Sequence, residues 1–149
     1  MFTILNEMKT TLYRPIGLKE LQLIIDSDYK KFPPRLSWQP IFYPVLNQAY
    51  AEQIALEWNT NDEFSGYCGV VTGFSLPTEY LQKYPIQNVG AKIHEELWVP
   101  AEDLEDFNNQ IIGGIEIIKV FIGKQFDALK NDEATKVVLN HKDSWQQSD

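Results

Sequence analysis

The sequence predicts a mixed α+β fold, a split or strongly twisted β-sheet flanked by short helices, and three observations carry that prediction. Strand-like and helix-like segments alternate along the chain. The longest apolar run, Ile111 to Ile122, is rich in β-branched residues and holds paired glycines at Gly113-Gly114. No strand runs into G-x-G-x-x-G or G-x-x-x-x-G-K, the phosphate-binding signatures expected of a doubly wound sheet.

Taken in order, residues 1–10 read as a loose N-terminal extension, and Thr11-Leu12-Tyr13-Arg14-Pro15 reads as a strand closed by proline and Gly17. Leu18, Leu21, Ile24 and Ile25 recur at helical spacing, with Lys19, Glu20 and Gln22 on the wet face. Tyr29 to Gln39, with Lys30-Lys31 and Pro33-Pro34, is an irregular loop and a candidate flap. Ile41 to Leu46 is a second strand, placed at an edge or bulge by Pro44, and Asn47 caps the next helix. In that helix Tyr50, Ile54 and Trp58 stack one turn apart, while Ala51 and Ala55 form a small-residue strip that lets it lie close to a sheet. Tyr67 to Leu76 is a strand with a bend or a close backbone approach at Gly69 or Gly73, and Pro77 starts a short helix. Val89 to Val99 is read as strand, Pro100 opens a helix with Leu104 and Phe107 inside, and Ile111 to Ile122 is read as a central strand buried on both faces. Ala134, Val137, Val138, His141 and Trp145 predict a closing helix behind Asn131-Asp132.

Composition sets the class. A chain of 149 residues that is 44% hydrophobic suits one domain over 1–149, large enough to bury roughly 70% of its unfolded surface. The single cysteine, Cys68, excludes an intrachain disulfide framework and a multi-cysteine zinc site; it reads as a small strand hydrophobe, since no basic residue is adjacent to activate it. With no basic leader before an apolar run and no window of eighteen apolar residues, the expected location is cytoplasmic, with no membrane partner. A net charge of -8 argues against a nucleic-acid partner. His94 and His141 lack metal-site spacing, so no metal is expected, and His141 on an apolar stripe reads as a packing residue.

Two features carry chemistry. The only arginines, Arg14 and Arg35, are the anion-binding candidates of an acidic protein, against the plainer reading of each as half of a surface ion pair. The run His94-Glu95-Glu96-Leu97-Trp98-Val99-Pro100 places carboxylates in a strand-like segment. Period-two alternation puts His94, Glu96 and Trp98 on one face, a wall for a polar aromatic ligand; the plainer reading is an edge strand with one solvated face.

The order of these motifs resembles the ADP-ribosyltransferase fold: Leu12-Tyr13-Arg14 on a first strand, Phe42-Tyr43-Pro44-Val45 leading into an alanine-rich helix, and His94-Glu95-Glu96 four residues before Pro100. The chain is also similar, over most of 11–123, to small bacterial proteins of the ADP-ribosylation/crystallin type, through Leu12-Tyr13-Arg14-Pro15, Phe32-Pro33-Pro34-Arg35, Glu96-Leu97-Trp98-Val99-Pro100 and Gly114-Ile115-Glu116. The resemblance implies NAD as substrate, with the nicotinamide–ribose bond cleaved and ADP-ribose passed to a protein or other acceptor. It implies Glu96 as the catalytic carboxylate, hydrogen-bonding the ribose and stabilising an oxocarbenium-like transition state. Arg14 would hold pyrophosphate or ribose, Tyr43 would pack on nicotinamide in place of the family's Ser-Thr-Ser element, and His94 would guide the acceptor; Trp98 would line the pocket. The other class left open is a noncatalytic ligand- or protein-binding module, such as an immunity or regulatory partner whose acidic face meets a basic protein.

Overall fold

In a computed structural model that describes residues 8–141 and 145–147, the sheet is built around β3 (Cys68–Pro77). Every residue from Cys68 to Phe74 is buried, because β3 lies between β1 (Lys9–Ile16) and β7 (Ile112–Ile122), antiparallel to both. A short strand β8 (Trp145–Gln147) adds parallel to the end of β7, giving the order β1-β3-β7-β8 and a mixed sheet. Register shifts between Val71 and Thr72 and between Gly73 and Ser75 bend the β3–β7 pair, which is how such irregularities increase twist. The architecture is the α+β arrangement of mixed sheet and short helices expected from the sequence.

Two faces of the sheet carry different cores. On one, α1 (Leu18–Asp26) buries Leu18, Leu21 and Ile24 with Leu12 and Ile16 of β1 and an aromatic group, Phe32, Phe42, Phe74 and Phe107, whose neighbouring rings meet tilted or edge to face. On the other, α2 (Gln48–Glu57) lays Ala51 and Ala55 against Val45, Val71 and Phe121. The Asn47 side chain accepts from the Tyr50 N–H and caps α2. The small-residue strip works as the sequence indicates: a Cβ on Gly69 would lie 2.8 Å from the Ala55 Cβ.

Several elements differ from expectation. Lys9 and Thr10 belong to β1, paired with Pro77 and Leu76, so the strand begins earlier than read; residues 1–7 lie outside the described residues. The second strand shrinks to β2 (Ile41–Phe42), since Pro44 cannot donate to a ladder. A short helix α3 (Thr78–Leu81) follows Pro77. The expected strand 89–99 is a hairpin instead: β4 (Ile86–Asn88) pairs with β5 (Glu95–Leu97), and residues 89–94 form its turn, held by Asn88 accepting from the Gly90 N–H. After β6 (Val99–Pro100) pairs with β2, Ala101–Asp103 form a 3-10 turn that leads into α4 (Leu104–Asn109). β7 is central only over its final residues; Ile112, Gly113 and Glu116 are exposed, because β8 covers Val120–Ile122 alone. The closing helix α5 (Glu133–Asn140) stops before Trp145, which lies in β8 and reaches back to donate to the Val138 carbonyl.

The loop 29–39 is pinned at its centre. Phe32 is buried, and the Asn108 side chain of α4 takes both its backbone groups, accepting from its N–H and donating to its carbonyl, each at 2.9 Å.

Candidate functional site

Three neighbouring strands assemble the region that carries the candidate residues. Tyr13 of β1 and Val45 exchange backbone hydrogen bonds at 2.9 and 2.8 Å, while Leu46 N–H donates to Glu95 and Leu97 N–H donates to Pro44. The short segment 44–46 is thus a rung between β1 and β5, with Val45 opposite both Tyr13 and Glu96. Paired residues on adjacent strands point to the same face. Val45 packs in the core beneath α2, so Glu96 faces α2 as well.

Glu96 is held from two sides. Tyr50 of α2 donates its hydroxyl to Oε2 at 3.0 Å, and Trp98 donates its indole N–H to Oε1 at 2.9 Å. Burial, then the hydrogen bond to Glu96, pushes the Tyr50 phenol up to about 12, so it keeps its proton and remains a donor at neutral pH. The carboxylate can accept further bonds, since its two oxygens offer about four acceptor sites.

Beside Glu96 lies a hollow of about 200 Å³, lined by Pro15, Tyr43, Val45, Ile54, Trp58 and Asn59 together with Glu96 and Arg14. Tyr43 and Trp58 are 40% and 60% exposed, which leaves aromatic surface available at this hollow. Asn59 is buried; its Nδ2 donates to Ser65, and its Oδ1 has no hydrogen-bond partner among the described residues. A separate groove of about 500 Å³, lined by Leu23, Phe32, Pro33, Ala101 and Leu104 among others, is larger. None of the expected site residues lines it, so chemistry selects the smaller hollow.

Arg14 contributes to the lining of the hollow, and its charged end is bonded to Glu20. Along β1, Leu12 and Ile16 enter the core under α1 whereas Tyr13 packs with the core under α2, and alternation sends Arg14 with the former. Its partners agree with that direction: Nε and Nη2 donate to both oxygens of Glu20 on α1, at 2.7 and 2.9 Å, and the guanidinium lies 4.7 Å from the centre of the buried Phe42 ring. The guanidinium is thus engaged by Glu20 and Phe42, while Arg14 and Glu96 both line the hollow.

His94 sits in the hairpin turn. Its Nδ1 accepts from the Ala91 N–H, which leaves the proton on Nε2 to be donated to Gln53 Oε1 at 2.7 Å. Its ring lies 4.7 Å from that of Tyr50, so His94, Tyr50, Glu96 and Trp98 form one connected group, with His94 bracing Tyr50 and absent from the lining of the hollow. Trp98, 43% exposed, reaches the site through its bond to Glu96.

Tyr50, Gln53 and Glu20 escape a reading by motif. Tyr50 carries a visible signal, its place on the stripe with Ile54 and Trp58, but that spacing reads equally as packing. Cys68 is buried and its thiol is pushed up to about 12 by burial, which suits the inert strand residue expected. His141 donates its Nδ1–H to the Val137 carbonyl, a packing arrangement at the end of α5. Among the described residues no group of His, Cys, Asp and Glu has the arrangement of a metal site, and no helix is long and apolar enough to cross a membrane. No family model, curated protein or solved structure matches the chain.

Proposed function

We propose that the Glu96 hollow binds the nicotinamide–ribose end of NAD and that the chain is an ADP-ribosyltransferase-like protein. In this reading Glu96 accepts a hydrogen bond from the ribose and stabilises positive charge on the sugar as the bond to nicotinamide breaks, with ADP-ribose passing to an acceptor or to water. The observation that carries the reading is a carboxylate oriented by two donors, Tyr50 and Trp98, beside the exposed rings of Tyr43 and Trp58. Flat rings stack on such surfaces, and a fixed carboxylate suits a sugar hydroxyl. At about 200 Å³ the hollow is below the roughly 300 Å³ where small-molecule pockets begin, so it takes one ring and its sugar while the remainder of the dinucleotide lies outside. Arg14, bound to Glu20, acts here as a strut.

The test is nicotinamide release from NAD by the purified protein and by Glu96→Gln, with binding followed by calorimetry. Release lost in Glu96→Gln while nicotinamide riboside still binds supports the assignment. Absence of both binding and release at millimolar NAD removes it.

A noncatalytic binding module is the second reading, favoured because both Glu96 oxygens already have protein donors and the Arg14 guanidinium is already bonded to Glu20. Binding of nicotinamide riboside without any release of nicotinamide from NAD selects this reading.

A further inference from the structure

Strand register gathers aromatic rings around Glu96. Phe42 pairs with Val99 and Val45 with Glu96, an equal number of residues further along each strand, so Tyr43 lies opposite Trp98. Opposed residues share a face, which puts both rings on the side of Glu96. Trp58, at the end of α2, lines the hollow with Tyr43 and Glu96, while Trp98 borders it through its indole bond to Glu96 Oε1. Tyr43, Trp58 and Trp98 are 40%, 60% and 43% exposed, so each has ring surface open to a ligand.

The charge at the hollow is negative. Glu96 and Arg14 are the charged side chains of its lining, and Arg14 is already matched by Glu20 through bonds of 2.7 and 2.9 Å. Arg35 stands outside the lining and donates Nε to the Ile41 carbonyl; among the described residues this bond replaces the expected surface ion pair. Glu96 likewise has no ion pair among the described residues. Its donors, the Tyr50 hydroxyl and the Trp98 indole, are neutral, so they fix the carboxylate and leave its charge uncompensated. They also occupy part of the acceptor capacity of both oxygens, which handicaps an ammonium that must place several N–H groups. A cation without N–H makes no such demand, and the faces of aromatic rings attract it through their quadrupoles.

We propose that the hollow recognises a nitrogen that carries a fixed positive charge and no hydrogen, the chemistry shared by a quaternary ammonium head group and an N-alkylated pyridinium ring. The inference rests on the Glu96 hollow being the ligand site, and it adds a selectivity by charge that stacking on flat rings does not require. A hollow of about 200 Å³ suits so compact a group. The net charge of -8 draws cations toward the protein.

The experiment titrates the full chain with two cations, choline and nicotinamide methylated on its ring nitrogen. The controls are their neutral counterparts, the tert-butyl analogue of choline and nicotinamide itself, with ethanolamine as the ammonium that carries N–H. Binding is followed at constant ionic strength by calorimetry and by the indole N–H NMR signal of Trp58. Each cation is expected to bind about tenfold more tightly than its neutral counterpart, with movement of the Trp58 signal. Choline is expected to exceed ethanolamine, and Glu96→Gln to erase the preference for charge. Tighter binding of choline identifies an alkylammonium head as the source, and tighter binding of the methylated nicotinamide identifies a ring. The inference is overturned if the neutral compounds match the cations, if ethanolamine matches choline, or if the Trp58 signal stays in place. These readouts use the parent protein, so a poorly folded Glu96→Gln leaves the decision intact. Cleavage of NAD without any preference for charge defeats this inference alone, whereas the preference without cleavage defeats the transferase reading alone.

Discussion

The bond between Arg14 and Glu20 should be a measurable clamp that fastens α1 to the end of β1. Its two contacts are 2.7 and 2.9 Å long, and the side chains are only 13% and 21% exposed. Charges about 4 Å apart attract by about 4 kcal/mol at an effective dielectric constant of about 20. Desolvation of both groups opposes this, and the net coupling should fall at about 1–3 kcal/mol, above an exposed ion pair and below a fully buried one. The perturbation is a double-mutant cycle with Arg14→Met, which keeps an apolar stem over Phe42, and Glu20→Gln. Urea unfolding followed by circular dichroism should give single variants that each lose about 1–3 kcal/mol and a double variant that loses less than their sum. A coupling below about 0.5 kcal/mol would refute the clamp and return Arg14 to the pool of unengaged cations.

Three further outcomes test the fold around the site. Asn108→Ala should leave the Phe32 N–H and carbonyl without partners and cost about 2–5 kcal/mol; faster hydrogen exchange at the Phe32 amide checks it, and unchanged protection would mean the loop is held otherwise. Gly69→Ala should push α2 away from β3 and cost about 1–3 kcal/mol in thermal or urea unfolding, because the added methyl would meet both the Ala55 Cβ and its carbonyl at 2.8 Å. Stability should be flat in pH below 9 as far as Cys68 is concerned and decline by up to about 4 kcal/mol toward pH 12, since the unfolded thiol gives up its proton near 9.0 while the folded one keeps it until about 12. Cys68→Ala should flatten the urea midpoint between pH 9 and 10, with Tyr50 and Tyr84, also raised by burial, preserving a slope above 10; an identical profile in both proteins would count against the assignment.

Local chemistry was legible wherever one residue type settles a backbone choice. Asn47 caps α2, Pro77 and Pro100 precede helical turns, and the alanine strip finds the glycine that receives it. Alternation also relates Glu96 to Trp98 correctly, though they are bonded across the gap between β5 and β6. The same logic fails at His94, because residues 89–94 turn and side chains in a turn obey no period of two. It fails again for β7, where an apolar composition on its own cannot reveal that only Val120–Ile122 gain a second neighbour.

The amino-acid order alone decides the α+β class, several caps and helix starts and the apolar residues available to the core, because these follow from short-range sterics and from hydrophobic spacing. Which way each charged group is aimed belongs to the assembled fold. Tyr50 reaches Glu96 across 46 positions, and Arg14 meets Glu20 because α1 packs back against β1. Strand neighbours are chosen by the packing of the whole, so no window of sequence contains that information.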